Sequence, residues 1–448
     1  MNKPQCTVNI VHSVDTEGPL YEPIEVTFRR LNEIFGLTFD SPDQVMLEKL
    51  RQGQVDLNGI ENEVKAVLSG HLINYNDTWD KIQEMLDEIM STKFRDRFLD
   101  SFGGAWKFSW HCLDHVGFEY NPRRRDMGYH NIFDYYQNVL KENPGFGDDI
   151  QWHFHPMSTY RDAHRCATSF VNSPELNQIL ARRIIERSWF PSVFRAGFQA
   201  ERPDSNWFLE QWIPFDLSNM ALDDNSELDV QIDFKNGRSG NWRDAPADWS
   251  IYHPSHDHYQ IPGNCRRLIG RSLNIMNRIA SINSVEVEKA FELASTGQSV
   301  LLGVSSHDFR DLRTEVAHVH QLIADAAKKH PEVNFRYCTG LEAFRDVAFN
   351  NQIGDEVALD VTIFPESSND VTHLIIEKTQ GEVFGPQPYL AIQTKSRRFI
   401  HDNLDIIKIG QKWGYAFHGD TLPFDDVRAI GIATNDKYGN TFVKNVVV

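Results

Sequence analysis

Two rhythms of apolar and polar residues divide the chain. From residue 6 to about 345, short apolar runs alternate with segments whose apolar residues recur every three or four positions. The first run, Cys6 to Val14, carries Val8, Ile10, Val11 and Val14, the nearly continuous pattern of a parallel strand covered on both faces. Similar runs fall at 104–113, 149–156, 192–198, 213–219, 299–308 and 333–338. Between them, Ile132, Phe133, Tyr136 and Leu140 predict a helix, as do the stretches 175–187, 204–211 and 285–296. The clearest helix carries Leu312, Val316, Val319, Leu322, Ile323 and Ala326 on one face. Strands alternating with helices predict a parallel α/β sheet or barrel with its helices outside. Residues 28–100 read as a helical insertion between the first two strands, with Trp79, Ile82, Met85, Leu86 and Ile89 as its best amphipathic stripe. Residues 221–265, rich in Asp, Asn, Gly and Trp, predict a long functional loop.

From about residue 355 the rhythm changes to strict alternation. Val357, Leu359, Val361 and Ile363 begin it, and strand candidates follow at 372–377, 389–394, 405–409, 429–434 and 441–448. The pattern predicts an antiparallel β-sandwich over 355–448, following an α/β domain over 1–350. Phe384 to Leu390, rich in Pro and aromatic residues, reads as a rigid turn in preference to a platform for a sugar ring.

At 448 residues the chain is long enough for two domains, and its 41% hydrophobic and 24% charged residues fit a folded protein. A net charge of −18 argues against nucleic acid or an anionic membrane as partner, since both require clustered cations. Arg123-Arg124-Arg125 is too short a cluster to reverse that. No apolar run approaches the roughly 18 residues of a membrane span, and the first twenty residues lack a secretory pattern, so the expected location is cytoplasmic. Five scattered cysteines without a C-x-x-C pair predict neither a disulfide framework nor a cysteine zinc site; Cys6, Cys112 and Cys338 read as buried thiols.

The chemistry-bearing residues collect at the carboxyl ends of the expected strands: Asp15 and Glu17, His153 and His155, Arg195, Asp216 and His307. In an α/β barrel those ends form one rim. Residues i and i+2 on a strand face the same way, so each pair points into one space. Two histidines and one carboxylate make an open coordination set for Zn²⁺ or another divalent transition metal, Co²⁺ or Ni²⁺ included. A second carboxylate beside the metal suits a general base, and His307 suits protonation of a departing amine. Arg195 would keep the base ionised, and Asp216 would orient His307.

The order Asp-x-Glu-Gly, His-x-His-Pro, Arg-x-Gly, Phe-Asp, Ser-His-Asp resembles the polysaccharide deacetylase family with its NodB-homology domain (carbohydrate esterase family 4). The resemblance covers residues 6 to about 345. It implies a distorted (β/α) barrel and a metal-dependent deacetylase of N-acetylated sugars in surface polysaccharide biosynthesis, such as that of lipopolysaccharide O-antigen, in association with other enzymes of that pathway. It would make Asp15 the base, Glu17, His153 and His155 the metal ligands, Arg195 the partner of the base, His307 the acid and Asp216 its tuner. Three positions differ from the common motifs: the second acid is Glu17, one residue removed from Asp15, Gln151 stands where a ligand histidine is usual, and Val304 stands where a leucine is usual three before the acid histidine.

His253, His256 and His258 lie close together in the polar segment and could bind zinc; a sugar-contacting surface is the preferred reading, shared with Trp152 beside the imidazole pair. The same constellation permits a different class of function, a degenerate deacetylase domain that binds glycan or organises an assembly complex without turnover.

Overall fold

The computed structural model describes residues 7–124, 130–166, 169–224, 239–365 and 371–448. Cys6, Arg125 and positions 225–238 of the polar segment lie outside the described residues. Seven parallel strands close into a barrel in sequence order: β1 (Thr7–Thr16), β2 (Ser109–His115), β3 (Asp149–His155), β4 (Val193–Ala196), β5 (Phe215–Asn219), β6 (Leu268–Asn274) and β7 (Val300–His307), which pairs back onto β1. An eighth strand, β8 (Asn334–Cys338), pairs with Thr7–Val11 of β1, whereas Ser13–Thr16 of β1 pair with β2. Every residue of β1 is buried, because helices cover one face, the barrel interior lies on the other, and both edges are hydrogen-bonded. That explains its unbroken apolar character.

Strand β6 is absent from the strands that the pattern predicts. Its Gly270, Arg271, Ser272 and Asn274 interrupt the apolar run, and Arg271 is buried by donating to Glu286 Oε2 at 2.7 Å and to the Ala221 carbonyl at 2.6 Å. Buried polar groups paired in this way cost little, but their partners cannot be read locally.

Six short helices, α1 (Ile24–Phe35), α2 (Gln44–Gln52), α3 (Glu61–Val67), α4 (Gly70–Ile73), α5 (Trp79–Ile89) and α6 (Thr92–Arg95), occupy the expected insertion. Phe28, Leu31, Leu47, Leu50, Val64 and Leu68 give it a small core of its own, while the stripe of α5 packs into the main core. Helices α7 (Asn131–Glu142), α8 (Glu175–Arg187), α9 (Pro203–Trp212), α10 (Ser284–Ser295) and α11 (Leu312–Lys329) follow barrel strands, and α12 (Gly340–Phe349) follows β8. Among the described residues, no helix is long and apolar enough to cross a membrane.

The C-terminal strands form two four-stranded antiparallel sheets. One has the order β13 (Asp405–Lys408), β14 (Lys412–His418), β10 (Val371–Gln380), β9 (Ala358–Pro365); the other β12 (Phe399–Asp402), β11 (Tyr389–Thr394), β15 (Val427–Asn435), β16 (Thr441–Val447). Leu359, Leu374 and Ile376 from the first sheet meet Leu390, Ile392 and Ile430 from the second in a shared core, as in a sandwich. The second sheet lies against α8, so closely that a Cβ on Gly431 would sit 2.5 Å from Ile184 Cγ2. The segment 384–390 is part of this packing: Phe384, Tyr389 and Leu390 are buried, and the Pro386 carbonyl accepts from Trp413 Nε1.

Candidate metal centre

Strand register brings the predicted residues together at the carboxyl mouth of the barrel. Asp15 is level with His111 on β2 and His307 on β7; His153 is level with Arg195 on β4, and His155 with His115 on β2. Arg195 reaches from β4 across the barrel interior to β1 and grips Asp15 through both carboxylate oxygens, at 2.7 Å from Nε and 3.0 Å from Nη2. Its remaining nitrogen donates to the Leu217 carbonyl at 2.6 Å. Burial pushes the Asp15 carboxyl upwards, but the Arg195 guanidinium, with His153 and His307 beside it, holds the group well below the usual carboxylate range.

Two residues on, Glu17 Oε1 lies 3.7 Å from His153 Nε2 and 3.6 Å from His155 Nε2, and the two imidazole nitrogens are 2.9 Å apart. Zinc bonds of about 2.0–2.1 Å at tetrahedral angles separate donor atoms by roughly 3.3–3.4 Å, so this triad fits a shared divalent ion with small adjustments. His153 Nδ1 is 3.1 Å from the Arg195 carbonyl, which can only accept. The proton therefore sits on Nδ1, and Nε2 presents its lone pair to the centre. All three ligands are buried, and among the described residues they form the one such cluster without an exposed member. His307 Nε2 completes the arrangement at 3.8 Å from Glu17 Oε1 and 4.0 Å from Asp15 Oδ2, its ring stacked on Phe309 and 23% exposed. The cavity lined by Asp15, Glu17, His153, Arg195 and His307 has a volume of about 130 Å³.

Residues not foreseen from the sequence shape the centre. Asp308 accepts from the backbone N–H groups of Glu17 and Gly18, at 2.8 and 3.0 Å, and from the Tyr136 hydroxyl at 2.9 Å, so it fixes the turn that carries Glu17. It follows His307 directly, in the Ser-His-Asp run. Gly197, the glycine of Arg-x-Gly, leaves room for His155: a Cβ there would lie 2.3 Å from the imidazole Cδ2. Phe198 and Gln199 follow with φ of 54° and 52°, in the left-handed region that costs non-glycine residues energy. The Gly240 N–H donating to the Phe198 carbonyl and Trp242 Nε1 donating to the Gln199 carbonyl hold them there.

Comparison with protein-family models and with curated proteins returned no match.

Several predicted residues lie elsewhere. Asp216 does not meet His307; its oxygens accept from Arg267 Nη1 at 2.8 Å and from the Ser218 N–H at 2.7 Å, in a buried network where Arg267 also grips Glu201. The strand alternation that turns His153 and His155 inward turns Trp152 outward, into the apolar layer beside Phe194, where it is fully buried and donates to Asp114. It has no surface to offer a sugar. His253 meets the Arg267 carbonyl at 3.0 Å, His256 stacks on Trp207, and His258 lies 3.6 Å from Asp244; none lines the cavity at the metal centre.

Proposed function

We propose that the protein is a divalent-metal-dependent hydrolase that removes the N-acyl group from an N-acetylated sugar. The observation that carries this reading is the buried Glu17–His153–His155 triad with the Asp15–Arg195 pair beside it, at the carboxyl mouth of a parallel barrel. Glu17 and the two histidines would hold the ion, which when bound supplies Lewis acidity, acidifying water and polarising the acyl carbonyl. Asp15, kept ionised by Arg195, takes a proton from the attacking water. His307, the most exposed member of the group, gives a proton to the departing amine nitrogen, so that amide and water become carboxylate and free amine. Zinc is the ion that this donor set suits best, with cobalt or nickel able to replace it. The polysaccharide pathway, its partner enzymes and a cytoplasmic site of action rest on the resemblance to NodB-type deacetylases.

A second reading has one observation in its favour: Arg195 engages both oxygens of Asp15, as in a purely structural ion pair. It makes the domain a glycan-binding module without turnover. Release of primary amine from N-acetylated sugars, followed with an amine-reactive dye on the zinc-loaded protein, separates the two. Asp15→Asn is expected to lower kcat by roughly a hundred- to ten-thousand-fold with zinc retained. His153→Ala combined with His155→Ala is expected to abolish stoichiometric zinc by elemental analysis. Binding of N-acetylated sugars with no amine released by the wild-type protein would favour the second reading.

A further inference from the structure

Beside the metal centre lies a second cavity of about 220 Å³, and Phe198, Asn277, Ile279 and His307 line both, so the two are continuous. Together they reach the lower range of small-molecule sites, roughly 300–1,000 Å³. The outer cavity is walled on one side by the helical insertion and lined by Arg29, Arg30, Arg123, Arg278 and Arg310. Against these five guanidinium groups stand three carboxylates, Glu22, Glu33 and Asp162. A local excess of positive charge in a chain of net charge −18 runs against the protein's overall potential, and a cleft concentrates such a field.

We infer that this arginine-lined cleft binds an oxyanion, phosphate or carboxylate, carried by the sugar whose N-acyl group reaches the metal centre. This rests on the hydrolase reading for the position of the acyl group, but the cleft's own chemistry is independent of turnover.

Three features support it. Planar guanidinium groups pair with oxyanions through two parallel N–H donors. Arg30 already engages Glu22 in this way, at 2.8 Å from Nη2 to one oxygen and 3.3 Å from Nη1 to the other, and Arg123 Nε lies 2.8 Å from that second oxygen. Tyr75 reports the potential at its floor. Burial pushes this hydroxyl up, yet Arg123, to which it is hydrogen-bonded at 2.6 Å, together with Arg30 and Arg310 leaves it below its ordinary value. Finally, Arg310 Nε is buried without a hydrogen-bond acceptor, so the cleft's arginines carry more donors than the fold's own acceptors satisfy.

The test is equilibrium binding to the zinc-loaded full chain by calorimetry, comparing N-acetylglucosamine, its 1-phosphate, N-acetylmuramic acid and inorganic pyrophosphate. The phosphate- or carboxylate-bearing sugar is expected to bind roughly tenfold or more tightly than the neutral one, a preference that shrinks as salt is raised. Which of the two binds better identifies the oxyanion. Arg29→Gln with Arg278→Gln is expected to remove the preference and leave neutral-sugar binding unchanged. The preference should persist in the His153→Ala, His155→Ala chain, which excludes an anion sitting on the metal. Equal binding of charged and neutral sugars, a preference that survives the arginine substitutions or vanishes with the metal ligands, or failure of every anionic probe at millimolar concentration would overturn it. If the double variant misfolds, the single Arg29→Gln chain, altered at an exposed side chain, and the salt titration of the wild type decide. Because amine release is not read, anion preference without hydrolysis sinks only the catalytic reading, and hydrolysis without preference sinks only this one.

Discussion

The alternation of side chains along an extended strand accounts for most of what the metal centre is. Asp15 with Glu17 and His153 with His155 are spaced by two; the acids line one cavity and the histidines meet Glu17 in one buried triad. The same rule sends Trp152 into the core, so its expected contact with sugar conflicts with the reasoning that places its neighbours. What spacing cannot give is which cation meets which anion. Asp216 was expected to orient His307, but Arg267 lies nearer and takes it. Gly197 has a further role that the motif alone does not reveal, since its missing Cβ is the space His155 occupies. Gly197→Ala is therefore expected to push His155 aside and weaken zinc binding by roughly ten- to a hundredfold in a chelator competition, with the far-ultraviolet spectrum unchanged. Asp308→Ala, which frees the turn carrying Glu17, is expected to weaken zinc in the same assay, with Tyr136→Phe showing a smaller effect because only one of the hydrogen bonds is lost.

Among the elements, the helical insertion is where the pattern says least about purpose. Its helical character is legible in the sequence, and α5 buries Ile82, Met85, Leu86 and Ile89 as its amphipathic stripe predicts. That α1 would bring Arg29 and Arg30 to the cavity beside the metal centre depends on packing between segments far apart in sequence. Glu22 ties this wall to the loop bearing Arg123. Burial raises the Glu22 carboxyl, but Arg123 and Arg30 outweigh it and hold the group below its ordinary value of 4.5. A carboxyl lowered on folding contributes stability above its unfolded pKa and loses it as the pH falls through the folded one. Glu22→Gln is thus expected to destabilise the protein by about 3 kcal/mol at pH 7 in urea unfolding, with the gap to wild type narrowing as the pH falls below the unfolded value. A gap independent of pH would show that Glu22 acts by shape. Strand β6 and helix α12 also lie beyond the predicted elements. The polar residues of β6 hide it, whereas Thr339 and Glu342 form a capping box that marks the start of α12 in the sequence itself.

For the whole molecule, the two-part organisation follows from the change of rhythm near residue 355, and its physical coupling does not. The β-sheet β12-β11-β15-β16 covers α8, Tyr389 and Phe399 share a core with Ile179, Ile184 and Phe190, and Asn435 donates to the carbonyls of Pro191 and Trp212. Removing residues 355–448 would strip this cover from the helix that follows β3, the strand carrying both histidine ligands. The truncated chain is expected to aggregate or to unfold well below the intact protein in a thermal scan, and a soluble truncation with unchanged melting would show that the sandwich is an independent appendage. The sequence by itself determined the alternation of strand and helix, the antiparallel end domain, and the short list of acids and imidazoles at strand ends, because all of these are encoded in periodicities of two and 3.6 residues. Barrel closure through β6, the Arg195–Asp15 grip across the interior and the arginine-lined cleft were decided only by the tertiary structure. Each depends on which distant segments become neighbours, and long-range packing leaves no local period to read.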